Sequence, residues 1–173
     1  WRPGRYETVN LAENIRGFKC TDDKGNALPF RKISKDRWKI TGISNSNNIH
    51  IHYQYYANQP DAGACFVDRD QLYINPVHCC FYIPGREKEK NEVVLQVPEH
   101  WKLASGLPKT GLHTMTAQNF DQLVDSPFIA SPDLKHATYS MDGIEFNIWL
   151  QGECNPDWKK IISDFEGFTR VQL

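Results

Sequence analysis

The sequence has no stretch of about eighteen consecutive apolar residues, so no helical membrane span is expected. It has no excess of one charge either. Twenty basic residues stand against twenty-one acidic ones, for a net charge of −1. Without a basic stripe, nucleic acid is not an expected partner. Cysteine is sparse, and the five cysteines contain no Cys-x-x-Cys pair, which weighs against a structural zinc site or a thioredoxin-type redox pair. Gly-x-Ser-x-Gly and a Gly-rich phosphate loop are both missing, which removes the hydrolase elbow and the P-loop. There is no internal repeat, no low-complexity segment and no signal-peptide pattern, and the chain opens on Trp1 rather than Met. It is therefore expected to be a cut piece of something longer, with its compartment left open.

What is present is a folding composition. With 40% hydrophobic and 12% aromatic residues over 173 positions, one domain is the default. A chain of this size buries roughly 70% of its unfolded surface and needs no staples.

The stretch Asn119 to Phe128 organises the rest. Phe120 shares one face of a helical turn with Leu123 or Val124, while Asp121, Gln122 and Asp125 lie on the other. Pro127 disfavours helical geometry at Ser126, so the turn ends there and Phe128-Ile129 restart as extended chain. So short a turn is not helical alone in water. It is expected to act as a clasp, held by burial of Phe120 and Leu123, between strands before about residue 114 and strands from about 128.

Taken in order, Trp1 to Tyr6 reads as a Pro-Gly turn and Thr8 to Ile15 as one loose helical turn. Phe18 to Thr21 is a strand turned back by Asp22 to Asn26, Leu28 to Phe30 a weak edge, and Arg37 to Ile43 a half-buried strand. After a polar loop at Ser44 to Asn48, Ile49 to Ala57 gives the strongest strand signal, with Ile49, Ile51, Tyr53 and Tyr55 on one face. Phe66-Val67 and Leu72 to Ile74 are short extended pieces, and Val77 to Ile83 reads as a strand covered on both faces. Pro84 to Asn91 is a charged connection and Glu92 to Val97 the returning strand. Trp101 to Ala104 and Leu112 to Thr116 are strands around a Gly106/Pro108/Gly111 loop. His136 to Ser140 and Ile144 to Leu150 form a hairpin closed by Asp142-Gly143. Asn155-Pro156 then opens an amphipathic helix carrying Trp158, Ile161, Ile162, Phe165 and Phe168 on one side.

Three constellations could carry chemistry. His50 and His52 share a strand face, with His78 or His100 as a third metal ligand, but nothing supplies a secure set of three, and the reading is surface histidines. His78-Cys79-Cys80 could pair a thiol with a base; neighbours on a strand point apart, so the reading is buried filler. Asp121 and Asp125 are four apart on the clasp, a pair suited to acid–base work or to meeting a substrate amine, against a plainer reading of one capping and one solvated carboxylate.

The motifs Trp1-x-Pro3-Gly4-x-Tyr6, Ala12-x-Asn14-Ile15-x-Gly17-Phe18, Trp38, Tyr53-x-x-Tyr56-Ala57-Asn58 and Asn75-Pro76 recur together with Pro98-x-x-Trp101-Lys102-x-Ala104-x-Gly106-Leu107. With Phe120-Asp121-x-Leu123-Val124-Asp125-Ser126-Pro127, the most specific of them, the chain resembles the N-terminal domain of the glycyl-aminopeptidase-like, PDZ-bearing zinc metallopeptidases of the thermolysin-like clan. Two features depart from the pattern: the strands that precede the Trp-Pro-Gly-Tyr turn are missing, and Cys79-Cys80 and His50/His52 are not part of it.

The resemblance implies a mainly β domain over 1–154, antiparallel β-sandwich or saddle-like sheets, with a short helical turn near 117–125. A C-terminal amphipathic helix over 155–173 would lead toward a catalytic domain outside this chain. It implies zinc on a His-Glu-x-x-His helix of that domain, with the motif Glu as general base; His-Glu-x-x-His is absent here. No catalytic or metal-ligating residue and no cofactor is therefore assigned within the chain. Its expected partners are its own catalytic domain and a peptide substrate, with Asp121, Asp125 and Ser126 as candidate cleft or interdomain contacts. Two rivals stand beside this: a free-standing β-sandwich module binding peptide or carbohydrate through Trp38, Tyr53, Tyr55, Tyr56 or Trp101, and a small hydrolase built on Cys or His.

Overall fold

Alternating side chains dictate most of the architecture. The computed structural model describes residues 10–43 and 48–173, so the turn expected at Trp1 to Tyr6 and most of the loop at Ser44 to Asn48 lie outside the described residues. A 3₁₀ turn at Leu11–Asn14 leads into β1 (Ile15–Asp22), which pairs antiparallel with β4 (Ile49–Tyr55). The expected faces of β4 hold: Ile49, Ile51, Tyr53 and Tyr55 are half-buried and the residues between them exposed. The register slips between Arg16 and Lys19, where Gly17 takes φ +59°, a value a side chain would resist. Asp22 holds the following turn by accepting from the Lys24 and Asn26 N–H groups.

β2 (Phe30–Ser34) and β3 (Arg37–Ile40) form a hairpin. The edge expected at Leu28 to Phe30 lies further on, because Pro29 precedes the ladder rather than joining it. Phe18 stacks on Trp38 at 5.2 Å, and Phe81 meets Phe18, Trp38 and Tyr53 edge-on at 5.8, 5.1 and 4.9 Å.

The main core lies where two further sheets and the clasp converge. One has the order β5 (Phe66–Val67), β6 (Leu72–Ile74), β11 (Phe128–Ser131), β8 (Lys102–Ser105); the other runs β7 (Asn91–Val94), β10 (Thr114–Ala117), β9 (Lys109–Gly111). Trp101, Leu103, Leu107, Met115, Ala117, Leu123, Phe128 and Ala130 form one buried cluster. Met115 and Ala117 are fully enclosed on one face of β10 and Thr116 between them is buried on the other, so the strand is covered on both faces.

Two expectations are corrected. Lys109 to Gly111 pairs with β10 rather than remaining loop. Val77 to Ile83 is not a strand. Pro76 opens a 3₁₀ turn (Pro76–His78), and the N–H groups of His78, Cys79 and Cys80 point back to the Asn75 and Pro76 carbonyls, leaving no ladder to form. An apolar run of that length reads the same way in either conformation.

β12 (Lys135–Met141) and β13 (Ile144–Leu150) make the expected hairpin, with Asp142 at φ 51° and Gly143 at φ 79°, the pair of left-handed residues a type I′ turn requires. The last helix, α2 (Trp158–Gln172), begins later than the Asn155-Pro156 signal. Asp157 is its N-cap, because the Asp157 carboxylate accepts the Lys160 N–H at 3.0 Å. It packs on β12, and the buried Tyr139 and Thr169 hydroxyls share a 2.7 Å hydrogen bond. The outer side of α2 stays exposed: Phe165 45%, Phe168 65%, Val171 87%.

Candidate functional site

The clasp is a single turn of helix, α1 (Phe120–Val124), closed at both ends by side chains. Asn119 Oδ1 accepts the Gln122 N–H at 2.8 Å, and Gln122 Oε1 accepts the Gln118 N–H at 2.7 Å. That reciprocity approximates a capping box, and the Asn-x-x-Gln spacing in the sequence is its signature. At the far end, the Asp125 N–H donates to Asp121 O and the Ser126 hydroxyl donates to Gln122 O at 2.7 Å. The cap is therefore Asn119, and neither Asp121 nor Asp125 supplies it.

The front of α1 is tied to the charged loop at 84–90. The Phe120 N–H donates to Glu87 O at 2.8 Å, Lys88 Nζ lies 3.1 Å from Asp121 Oδ2, and the Tyr82 and Phe120 rings meet at 5.0 Å. Leu123 enters the core and Phe120 packs against it. Of the three candidate contacts, Asp121 is exposed in its ion pair with Lys88, Asp125 is exposed, and Ser126 is half-buried with its hydroxyl committed to closing the helix.

Where the chain leaves α1, Pro127 and Phe128 form one wall of an open cavity of about 310 Å³. Tyr73, Ser105, Asn147 and Trp149 line the rest. Asn147 and Trp149 reach it together because they are two apart on β13. His136 stacks on Trp149 at 3.8 Å and its Nε2 lies 2.7 Å from Asn147 Oδ1. Lys109 Nζ sits 5.3 Å from the Trp149 ring centroid and donates to Leu103 O. Partial burial pulls the Lys109 ammonium below its ordinary pKa. The cavity thus offers an aromatic floor with amide and hydroxyl edges. Its walls come from β6, β8, β11 and β13, and no local pattern announced them.

The other candidates disperse. His50 and His52 sit on the exposed face of β4, His50 Nε2 lying 3.9 Å from Asp23 Oδ1. His78 is in the second 3₁₀ turn and His100 is exposed before β8. Among the described residues, no group of three or more His, Cys, Asp or Glu side chains is placed to hold a metal ion. Of the aromatics named for a free-standing binding module, Trp101 is core, Trp38 and Tyr53 belong to the packed ring cluster, and Tyr55 is half-buried with its hydroxyl 3.4 Å from Asn14 Nδ2. Only Tyr56 of that set is exposed, and one ring makes no platform.

Comparison with known proteins places this arrangement. A search of curated proteins returns no match. Among solved structures, the crystal structure of an aminopeptidase N family protein from Idiomarina loihiensis matches with a TM-score of 0.85 and 28% identity, over 95% of this chain and 29% of that one. The chain thus spans less than a third of the length of that relative. The family profile of the Peptidase M61 N-terminal domain matches residues 1–132. That stretch contains all of α1 and the motifs on which the resemblance was drawn. The chain belongs to the Peptidase M61 N-terminal domain family.

Proposed function

We propose that this chain is the non-catalytic N-terminal domain of a zinc-dependent aminopeptidase, packing on a catalytic domain and walling one side of its peptide cleft. The observation that carries the reading is the family match over 1–132, joined to a structural relative of the aminopeptidase N family more than three times as long as the portion matched. The exposed apolar side of α2 supports the packing: Phe165, Phe168 and Val171 present a surface of the kind that ordinarily meets a partner. The residues present do not fit zinc, since no three ligands converge among those described and His-Glu-x-x-His is absent. The metal and its chemistry are accordingly assigned to the catalytic domain.

Within this reading, the clasp and the cavity beside it face the peptide. Asp125 and Asp121 supply negative charge to a substrate amine, and Ser126 positions Asp125 by closing α1 through Gln122 O. Asp125 has the stronger claim, because Asp121 already has the Lys88 ammonium 3.1 Å away. In the intact enzyme, Asp125→Asn is expected to raise KM for a peptide with a free amino terminus by roughly tenfold, the worth of one charge-assisted contact, and Asp121→Asn by less. The same variants should leave KM unchanged for an amino-blocked substrate. Equal kinetics in all cases would remove the carboxylates from the cleft.

A further inference from the structure

The cations of this chain are unevenly spread. Residues 30–40 hold Arg31, Lys32, Lys35, Arg37 and Lys39 against one acid, Asp36, a local charge of +4 in a chain whose total is −1. They make up the β2–β3 hairpin, and all six charged residues are exposed. Neither strand packs broadly on another element. The hairpin is fastened through its inner face, where the Phe18 ring meets Phe30 at 4.8 Å and Trp38 at 5.2 Å. Lys32 is engaged on that side, its Nζ 4.5 Å from the Trp38 ring centroid.

The outer face has no such engagement. Arg31 and Lys39 stand directly opposite in the register, and like charges in that position cost stability. Arg37 falls on the same face, two residues from Lys39. Among the described residues, none of the five cations is in an ion pair, and the nearby Asp36 carboxylate accepts from the Ser34 hydroxyl at 2.6 Å. The register slips between Lys32 and Ser34, and Ile33 between them is 51% exposed. Phe30 and Ile43, at the base of the hairpin, are exposed as well. A repulsion the chain does not relieve, set around exposed apolar side chains, breaks a local rule with no gain inside the fold.

We propose that the β2–β3 hairpin docks on an anionic lipid surface. Arg31, Lys35, Arg37 and Lys39 meet the headgroup phosphates, and Ile33 enters the acyl boundary between them. Charge complementarity selects an anionic partner, and the exposed apolar side chains among the cations select lipid. Nucleic acid would want a free ring for a base to stack on, and both rings of the hairpin, Phe30 and Trp38, are already packed on Phe18. The balanced charge of the rest of the chain does not cancel this field, because charges more than about 8 Å away are screened at physiological salt. Each cation held near such a surface strengthens binding roughly fivefold.

The test floats the intact protein with phosphatidylcholine vesicles, with and without phosphatidylglycerol. The expected result is binding to the phosphatidylglycerol vesicles alone, weakening as salt rises. Arg31→Glu with Lys39→Glu should lower that affinity by at least about 25-fold. Ile33→Ser should lower it roughly fivefold and leave the salt dependence as it was. Arg31→Glu alone puts opposite charges across the ladder, so it should bind more weakly at an unchanged or raised thermal midpoint, and it decides the matter even if the double variant does not fold. Equal binding to neutral vesicles, no binding to either kind, variants that bind like the parent protein, or a preference for a DNA duplex or polyglutamate over the vesicles would each overturn the proposal. Peptide hydrolysis by the same samples reads the peptidase assignment separately, so the two can fail independently.

Discussion

Replacing Leu123 by alanine is expected to lower the free energy of unfolding by about 2–5 kcal/mol, the range for emptying a well-packed leucine site. Leu123 is 5% exposed and sits in the main cluster with Met115, Ala117 and Phe128. The five residues of α1 cannot sustain a helix by themselves, because so short a segment never recovers the cost of nucleation. What holds it is the burial of Leu123, the Asn119 cap and the Glu87 carbonyl that receives the Phe120 N–H. Losing the leucine therefore empties core volume and frees the only apolar anchor fully buried on that turn. The Asp121→Asn protein is the control. The Asp121–Lys88 pair is 72% and 82% exposed on its two side chains, so solvent screening holds its worth to about 0–1 kcal/mol. Urea denaturation distinguishes the two. If Leu123→Ala cost no more than Asp121→Asn, the clasp would be decoration on the surface and not part of the core.

The second large effect concerns α2. Phe165→Ser with Phe168→Ser should weaken association with the catalytic domain by about a hundredfold. Phe165 and Phe168 already have part of their surface covered within this chain. Burying the remainder of each is thus worth roughly half of the 1.5–3 kcal/mol for a whole side chain, or about a factor of ten apiece. Neither ring is in the main core cluster, so the domain's own midpoint should fall by only a few degrees, from losing the part of each ring already covered within this chain. Calorimetry on the intact protein reads both quantities, because uncoupled domains melt as separate transitions. A single unchanged transition in the double variant would mean that this side of α2 faces solvent in the whole protein.

Much of this fold was legible before any coordinates, and the reason differs by element. β4 and the β12–β13 hairpin were readable because their alternation is strict and Asp142-Gly143 admits left-handed backbone. The clasp was readable because Pro127 and the Phe120/Leu123 spacing give it a stop and an inward face. The 3₁₀ turn at Pro76 was misread because Val77 to Ile83 is apolar without a period, and only the hydrogen bonds to Asn75 and Pro76 distinguish turn from strand. The start of α2 shifted because Asp157, not Asn155, reaches the Lys160 N–H. The cavity was not legible, since Tyr73, Ser105, Phe128 and Trp149 come from four strands far apart in the chain. The family motifs, by contrast, concentrate where local geometry is demanding, at the clasp and around Gly17.

On the proposed reading, these residues support catalysis without performing it. The most direct measurement compares hydrolysis of unblocked aminoacyl and dipeptidyl p-nitroanilides by residues 1–173 alone and by the intact protein, each with and without a zinc chelator. The expected result is no turnover by the isolated chain, and turnover by the intact protein that the chelator abolishes. Hydrolysis by the isolated chain would contradict it.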